Sequence, residues 1–203
     1  MKFTALEEYG LRCILRLAQK ELDARRSSPG EGGNPAPREV MASMSLGEIA
    51  AGEGLTEQYA GKLFRILQKA GLVESVRGRK GGYRLARPPE SITAAETLDA
   101  LGGRLFDGEV CGRYTGDRHL CVHSTDCAIR SLWTEIQGMI DHVLLRTTLS
   151  NLISTEHAMS LRVRSYREEA KTPGGSPGLV TLGVFAPKSE ARADLDGLAG
   201  NDK

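Results

Sequence analysis

The stretch from Ser45 to Arg87, "SLGEIAAGEGLTEQYAGKLFRILQKAGLVESVRGRKGGYRLAR", changes its hydrophobic period once, and that change restricts what it can build. Its first part repeats apolar residues at helical spacing. Ser45 and Glu48 form a capping box that opens a short helix through Ala51. After the turn "GEG", Thr56 caps a second helix running to about Ala70, with Gly71 placed to stop it. Ala60, Leu63, Phe64 and Leu67 share one face of that helix, and Gln58, Tyr59, Lys62, Arg65 and Lys69 fall on the other. From Val73 the period drops to two. Val73, Ser75 and Arg77 lead into "GRKGG", and Tyr83 and Leu85 lead out, which is the pattern of a hairpin with a basic, glycine-rich tip. "SITAAETLDALGG" adds another short helix, capped by Thr93 with Glu96. Two short helices, a tight turn and a hairpin make a winged helix-turn-helix. The predicted fold class is therefore mainly α with a small β-wing, in a domain spanning residues 1–104.

Charge points the same way once it is read locally. The whole chain is nearly neutral, with 27 Lys and Arg against 26 Asp and Glu, so a nucleic-acid surface would have to be a patch. Between Lys62 and Arg87 eight basic residues (Lys62, Arg65, Lys69, Arg77, Arg79, Lys80, Arg84, Arg87) stand against one acid, Glu74. In a winged helix the second helix enters the major groove with its N-terminal residues toward the base edges. Thr56, Gln58, Tyr59, Lys62, Arg65 and Lys69 are the candidate contacts from that helix. Gln58 suits adenine, and Lys62 or Arg65 suits guanine. Arg77, Arg79, Lys80 and Arg84 suit phosphate or minor-groove contact from the wing. The expected partner is double-stranded DNA. No nucleophile–base pair can be read from the chain, and "GRKGG" tips a hairpin rather than opening a helix as a phosphate loop would, so an enzyme is not expected.

The flanks extend this domain. "TALEEYGLRCILRLAQ" reads as an amphipathic helix with a Thr4–Glu7 capping box, and Cys13 lies on its apolar face as a buried, inert thiol. Residues 22–44, rich in Pro, Gly and Ser, read as an inserted flexible loop. Residues 105–128 form a cysteine-rich loop. Residues 129–168 contain no proline, and Ile129, Leu132, Trp133, Ile136, Met139, Ile140, Val143 and Thr147 recur near a 3.5-residue spacing. A helix of that length exceeds what a small domain covers alone, so it is predicted to be a dimerisation helix against a second copy. Residues 169–203 read as a disordered tail. No apolar run approaches the roughly 18 residues of a membrane span. Glu7 and Glu8 occupy the place where a signal peptide would be apolar. A cytoplasmic protein without a membrane partner is expected.

"CGRYTGDRHLCVHSTDC", residues 111–127, holds three of the four cysteines. In a reducing compartment such a cluster is more often metal-binding or redox-active than a disulfide framework. The C-x9-C-x5-C spacing lacks the close C-x2-C pairs common in structural zinc sites. It leaves a polar loop able to wrap a cofactor, and thiolates are the usual ligands of iron–sulfur clusters. Cys127 is placed in the first turn of the long helix, capped near Thr125, where the helix dipole favours a thiolate.

Taken together, "MKFT…EYGLR…LA", "LTEQYAGKLFRILQKAGLVESVRGRKGGYRLAR", "SITAAETLDAL" and "C…C…CAIRSLW" resemble the Rrf-two family of bacterial transcription regulators, of the IscR and NsrR types. The resemblance covers about residues 1–20 and 45–155. It implies a homodimer gripping a partly palindromic operator. It also implies an iron–sulfur cluster of two or four irons, with Cys111, Cys121 and Cys127 standing where the ligands stand. The fourth ligand is left open. IscR-type members place a histidine three residues after the third cysteine, where this chain has Arg130. NsrR-type members use an acid near the N-terminus, and Glu8 stands at that position. His119 and His123 are local alternatives, as are water and a small thiol. The implied function is a regulator whose operator affinity is set by the cluster as it senses cluster supply, redox state or nitric oxide. The alternatives are a zinc or thiol-switch regulator and, further off, a cluster-carrying electron-transfer protein.

Overall fold

The computed structural model describes residues 4–27, 42–78, 81–102, 104, 106, 110–115 and 121–169. The first helix, α1 (Ala5–Ser27), starts on the expected box: Thr4 N–H donates to the Glu7 carboxylate at 2.6 Å, and Glu7 N–H donates to Thr4 Oγ1 at 3.3 Å. Cys13, Ile14 and Leu17 are fully buried along its inner face. The helix continues through residues 22–27, which the composition had assigned to a loop. A buried carboxylate explains the extension. Glu21 bonds Arg25 one turn on at 2.9 Å and accepts the Ala42 N–H at 2.7 Å, joining the helix end to the returning chain. Of the remainder of the expected loop, residues 28–41 lie outside the described residues, and 42–44 are drawn into the domain, with Met44 bridging Tyr83.

Helix α2 (Leu46–Glu53) opens on the Ser45–Glu48 box and ends at Gly54, whose φ of 68° is the left-handed conformation that glycine adopts without a Cβ penalty. The Glu48 carboxyl is held below its ordinary value, first by the Ser45 backbone N–H and then by its hydroxyl. Helix α3 (Glu57–Lys69) is capped by Thr56 Oγ1 and buries Ala60, Leu63, Phe64 and Leu67. Strands β1 (Val73–Val76) and β2 (Gly82–Leu85) pair antiparallel, with Val73 opposite Leu85 and Val76 opposite Gly82. Met44 adds a third, bridging segment at Tyr83, exchanging backbone hydrogen bonds of 2.9 and 2.8 Å. Gly82 permits that approach: a Cβ there would lie 2.0 Å from the Met44 carbonyl oxygen. Helix α4 (Ala94–Leu101) carries the Thr93–Glu96 box and packs on α1 and α3. Ile14, Ile49, Leu63, Phe64, Leu67, Leu85 and Ile92 form one sealed core.

Helix α5 (Val110–Arg113) is a single turn bearing Cys111. The expected forty-residue helix is broken in three. Helix α6 (Ala128–Leu144) stops, α7 (Leu149–Leu152) follows, and α8 (Glu156–Glu169) completes the run. The break lies where the chain returns to the winged-helix core. Leu149 is fully buried, Thr148 bridges Thr93, and Ala94 N–H donates to the Thr147 carbonyl at 2.7 Å. Thr148 with Asn151 then recaps the chain for α7. The expected tail begins at Glu169, but α8 runs through Glu169, and the rest of that tail, residues 170–203, lies outside the described residues. Among the described residues no helix is long and apolar enough to cross a membrane.

Candidate DNA interface and thiol site

Helix α3 separates its functions by face. Its inner residues are sealed in the core, so the helix cannot roll, and the outer residues are held in a fixed direction. Thr56, Gln58, Arg65 and Lys69 are exposed and Lys62 is half-buried. Gln58, Lys62, Arg65 and Lys69 follow one another at intervals of one helical turn or nearly so, which makes a polar stripe along the helix. Thr56 also accepts the Tyr59 N–H at 3.2 Å and so fixes the start of the stripe.

Tyr59 does not share the outward face expected of it. Its ring stands edge-on to Tyr9 of α1, centroids 6.2 Å apart, and packs against the core. Burial pushes its phenol pKa up, with Tyr9 and Cys13 adding to the effect. Nothing in the spacing marks this residue as different from Gln58; the pairing is made by α1. Arg12 lies over the Tyr9 ring at 5.7 Å and bonds Glu8 at 2.8 Å.

On the wing, Arg77 is exposed, while Arg84 is half-buried and paired across the strands with Glu74 at 3.0 Å, its partner in the register. A partly exposed pair of this kind contributes under about 1 kcal/mol. Arg79 and Lys80, at the tip, lie outside the described residues. At Gly61 in mid-α3 a Cβ would stand 3.4 Å from Leu46 of α2, an ordinary contact.

The thiols divide equally sharply. Cys13 is fully buried, and burial pushes its thiol pKa up to about 11, with Glu53 adding and Arg16 opposing. Arg16 itself ties α1 to α2 through Glu53 and the Gly52 carbonyl. Cys111, Cys121 and Cys127 are free and half-exposed. Cys111 and Cys121 line one open cleft of about 240 Å³ together with Thr115, His123, Ser124 and Arg130. Cys127 is itself the N-cap of α6, in place of the cap expected near Thr125, and its Sγ accepts the Arg130 N–H at 3.4 Å. Arg130, at the position where IscR-type proteins carry a histidine, donates to the Ser124 carbonyl at 3.1 Å and borders the cleft with its cation.

The donor set fits a thiolate-held metal cofactor in kind: the three are soft sulfur ligands, none buried, and two line a common cleft with an imidazole. Among the described residues, however, no three Cys, His, Asp or Glu side chains stand close enough to hold one ion without rearrangement. Glu8 is on α1, ion-paired with Arg12 and not part of the cleft lining. His119 lies outside the described residues.

With the winged helix and the thiol cleft in place, the kinship of the chain follows. A family profile described as "Rrf2: Iron-dependent Transcriptional regulator" matches residues 36–155. The chain belongs to the Rrf2 family. Among curated relatives of this Rrf2 chain, the HTH-type transcriptional regulator CymR of Bacillus subtilis is 33% identical over 154 residues, which is 76% of this chain and 91% of that protein. The HTH-type transcriptional regulator IscR of Vibrio campbellii is 29% identical over 174 residues, 86% of this chain and 90% of its own. Among solved structures, CymR of B. subtilis, described as its global cysteine regulator, superposes with a TM-score of 0.52 at 32% identity, covering 75% of this chain and 95% of that one. IscR of T. potens superposes with a TM-score of 0.52 at 28% identity, covering 85% and 93%. This Rrf2 chain is thus a DNA-binding transcriptional regulator and not an enzyme.

Proposed function

We propose that the operator affinity of this regulator is set by an iron–sulfur cluster held by Cys111, Cys121 and Cys127. The observation that carries the reading is the contrast among the thiols: one is sealed in the core, and three lie open between the winged-helix body and α6. The fourth donor is His123, already on the cleft, or His119, or the Glu8 of a second subunit once its ion pair with Arg12 is released. When bound, a cluster supplies a redox- and oxygen-sensitive iron group whose loss frees the three thiols. The protein's part is to present them: α5 positions Cys111, and the first turn of α6 positions Cys127.

Two copies associate through the apolar stripe of α6, where Ile129, Leu132 and Met139 are 64%, 54% and 63% exposed. Large apolar side chains exposed together along one helix are the kind of surface that marks an interaction site. Two α3 helices then present Thr56, Gln58, Lys62, Arg65 and Lys69 to the major groove. Arg77 and Arg84, with Arg79 and Lys80 at the tip, lie along the flanking phosphates. Protein isolated without oxygen should be brown, with sulfur-to-iron charge-transfer absorption, and should bind DNA from upstream of its own gene. A colourless protein carrying stoichiometric zinc would contradict the cluster.

A cluster-free thiol switch is the second reading. It is favoured by the free, half-exposed Cys111 and Cys121 on one cleft, and by kinship to CymR, whose Staphylococcus aureus structure was also solved in an oxidized form. Here the apoprotein's DNA affinity would change on oxidation alone.

A further inference from the structure

The cysteine segment lies between α4 and α6 along the chain, and a small polar network ties these two helices together. Arg104, just past α4, donates to Asp99 of α4 at 3.2 Å and to Asp141 of α6 at 2.8 Å. Two residues on, Phe106 N–H donates to Oε1 of Gln137 at 3.0 Å. The Gln137 amide in turn donates to the second oxygen of Asp141 at 2.8 Å. Gln137 is only 6% exposed and is the sole buried residue that α6 shows. Asp141 is one helical turn beyond it, so both grips lie on one face of α6.

The network's setting gives it leverage. The C-terminal end of α6 is fixed to the start of α4 by backbone bonds, Ala94 N–H to Thr147 and Leu149 N–H to Ile92. Backbone ladder bonds at a sealed core do not open readily. The middle of α6 is tied to the other end of α4 through the Arg104 side-chain bridge, which is partly open to water. Helix α4 packs directly on α3, and its Leu101 fills the space beside Gly10 of α1. Motion of α6 about its fixed end is therefore checked by the Arg104 bridge and passed by α4 to the recognition helix. Burial pushes the Asp99 carboxyl up, Asp141 and Glu96 add to this, and Arg104 opposes it. The guanidinium is thus what reconciles the two carboxylates.

We infer that Asp99, Arg104, Gln137 and Asp141 form a clasp that positions α6 and the cysteine segment on the winged-helix body and transmits the state of the thiols to α3. The inference rests on the reading that the cysteine segment governs DNA affinity, whether by a cluster or by the thiols themselves. None of the four residues is a thiol or a candidate DNA contact.

The experiment compares full-length protein with R104Q and with Asp141→Asn. Operator-fragment Kd is measured anaerobically in two states, as isolated and after chelation and oxidation, beside the visible absorption spectrum and the melting temperature. Wild type should show a ratio between the states in the range of about fivefold to 150-fold expected of allosteric coupling. In both variants the ratio should fall to within about twofold with the spectrum unchanged, and R104K should recover part of it. Variants that keep the wild-type ratio would overturn the clasp and leave the functional reading standing. A wild type with no ratio between its states would overturn both. If R104Q melts early, Asp141→Asn, which keeps shape but removes the charge and one of the two acceptor oxygens, decides the outcome by the same ratio.

Discussion

In the winged-helix body, α1, α2 and α4 each begin on a capping box, the cap's hydroxyl accepting a backbone N–H from the carboxylate residue three positions on and that carboxylate accepting the cap's own N–H, and Cys13, Ile14, Leu63, Phe64 and Leu67 have no exposure. On α6 and the segment before it, residues of the same chemistry lie open: three thiols, Ile129, Leu132, Met139 and part of Trp133. A chain that seals one thiol and one set of isoleucines and leaves the others outside has two kinds of region. The body satisfies its own groups and holds α3 rigidly. The second region leaves donors and apolar surface for something else to complete. Regulation needs both, because a signal received in the incomplete part has to move a complete one.

The contrast can be broken most sharply at the thiols. At pH 8 a thiol with a pKa of about 11 is about one part in a thousand thiolate, and only the thiolate alkylates. Native apoprotein treated with iodoacetamide should therefore label Cys111, Cys121 and Cys127 and spare Cys13, as read by peptide mass. Cys13 should react only as the pH rises toward 11 or the protein unfolds. Rapid labelling of Cys13 at pH 8 would show that the body is not sealed.

The next largest effect is expected at Leu149, the residue that carries the chain from α6 back into the core. Leu149→Ala should lower stability to denaturant by about 2–5 kcal/mol, as for other fully buried leucines. A loss below 1 kcal/mol, on the order of a surface change, would mean that the break after α6 is not anchored there. On the open region the opposite holds. Leu132→Glu should change the stability of the isolated chain by no more than about 0.5 kcal/mol, yet shift sedimentation equilibrium from dimer to monomer. A variant that remains dimeric would move the interface off the α6 stripe.

The smallest effect concerns a cap. The Glu96 carboxyl is partly desolvated, which raises its pKa, but bonds from Thr93 and Arg87 outweigh this and hold it below the ordinary 4.5. A lowered carboxyl contributes stability above its unfolded pKa and loses it as the pH falls through the folded one. Glu96→Gln should melt lower than wild type at neutral pH, by a capping contribution under about 1.5 kcal/mol. The gap should close as the pH falls below 4.5. A gap independent of pH would assign the effect to packing.

How much of this could be read in advance depended on whether the cause was local. The three capping boxes, the hairpin, the buried face of α3 and the burial of Cys13 follow from spacing and side-chain chemistry, and all stand as expected. The failures have tertiary causes. Residues 22–27 stay helical because Glu21 reaches Ala42, twenty-one residues away. The run from 129 to 168 contains no proline, yet it breaks because Leu149 gains more in the core than a continuous helix would give it. The local trace of that break is a Thr-x-x-Asn box, weaker to the eye than Thr-x-x-Glu. Tyr59 turns inward because Tyr9 is there to meet it. At the thiol site the cap on α6 was legible within two residues, whereas Arg104 and Gln137 carried no pattern at all.

The central claim, that the state of Cys111, Cys121 and Cys127 sets DNA affinity, is tested most directly by one titration. Operator DNA from upstream of the chain's own gene is bound anaerobically by wild type as isolated and by the triple variant Cys111→Ser, Cys121→Ser, Cys127→Ser. The account predicts two folded proteins of equal melting temperature whose Kd values differ by about fivefold or more. Equal Kd values would contradict it.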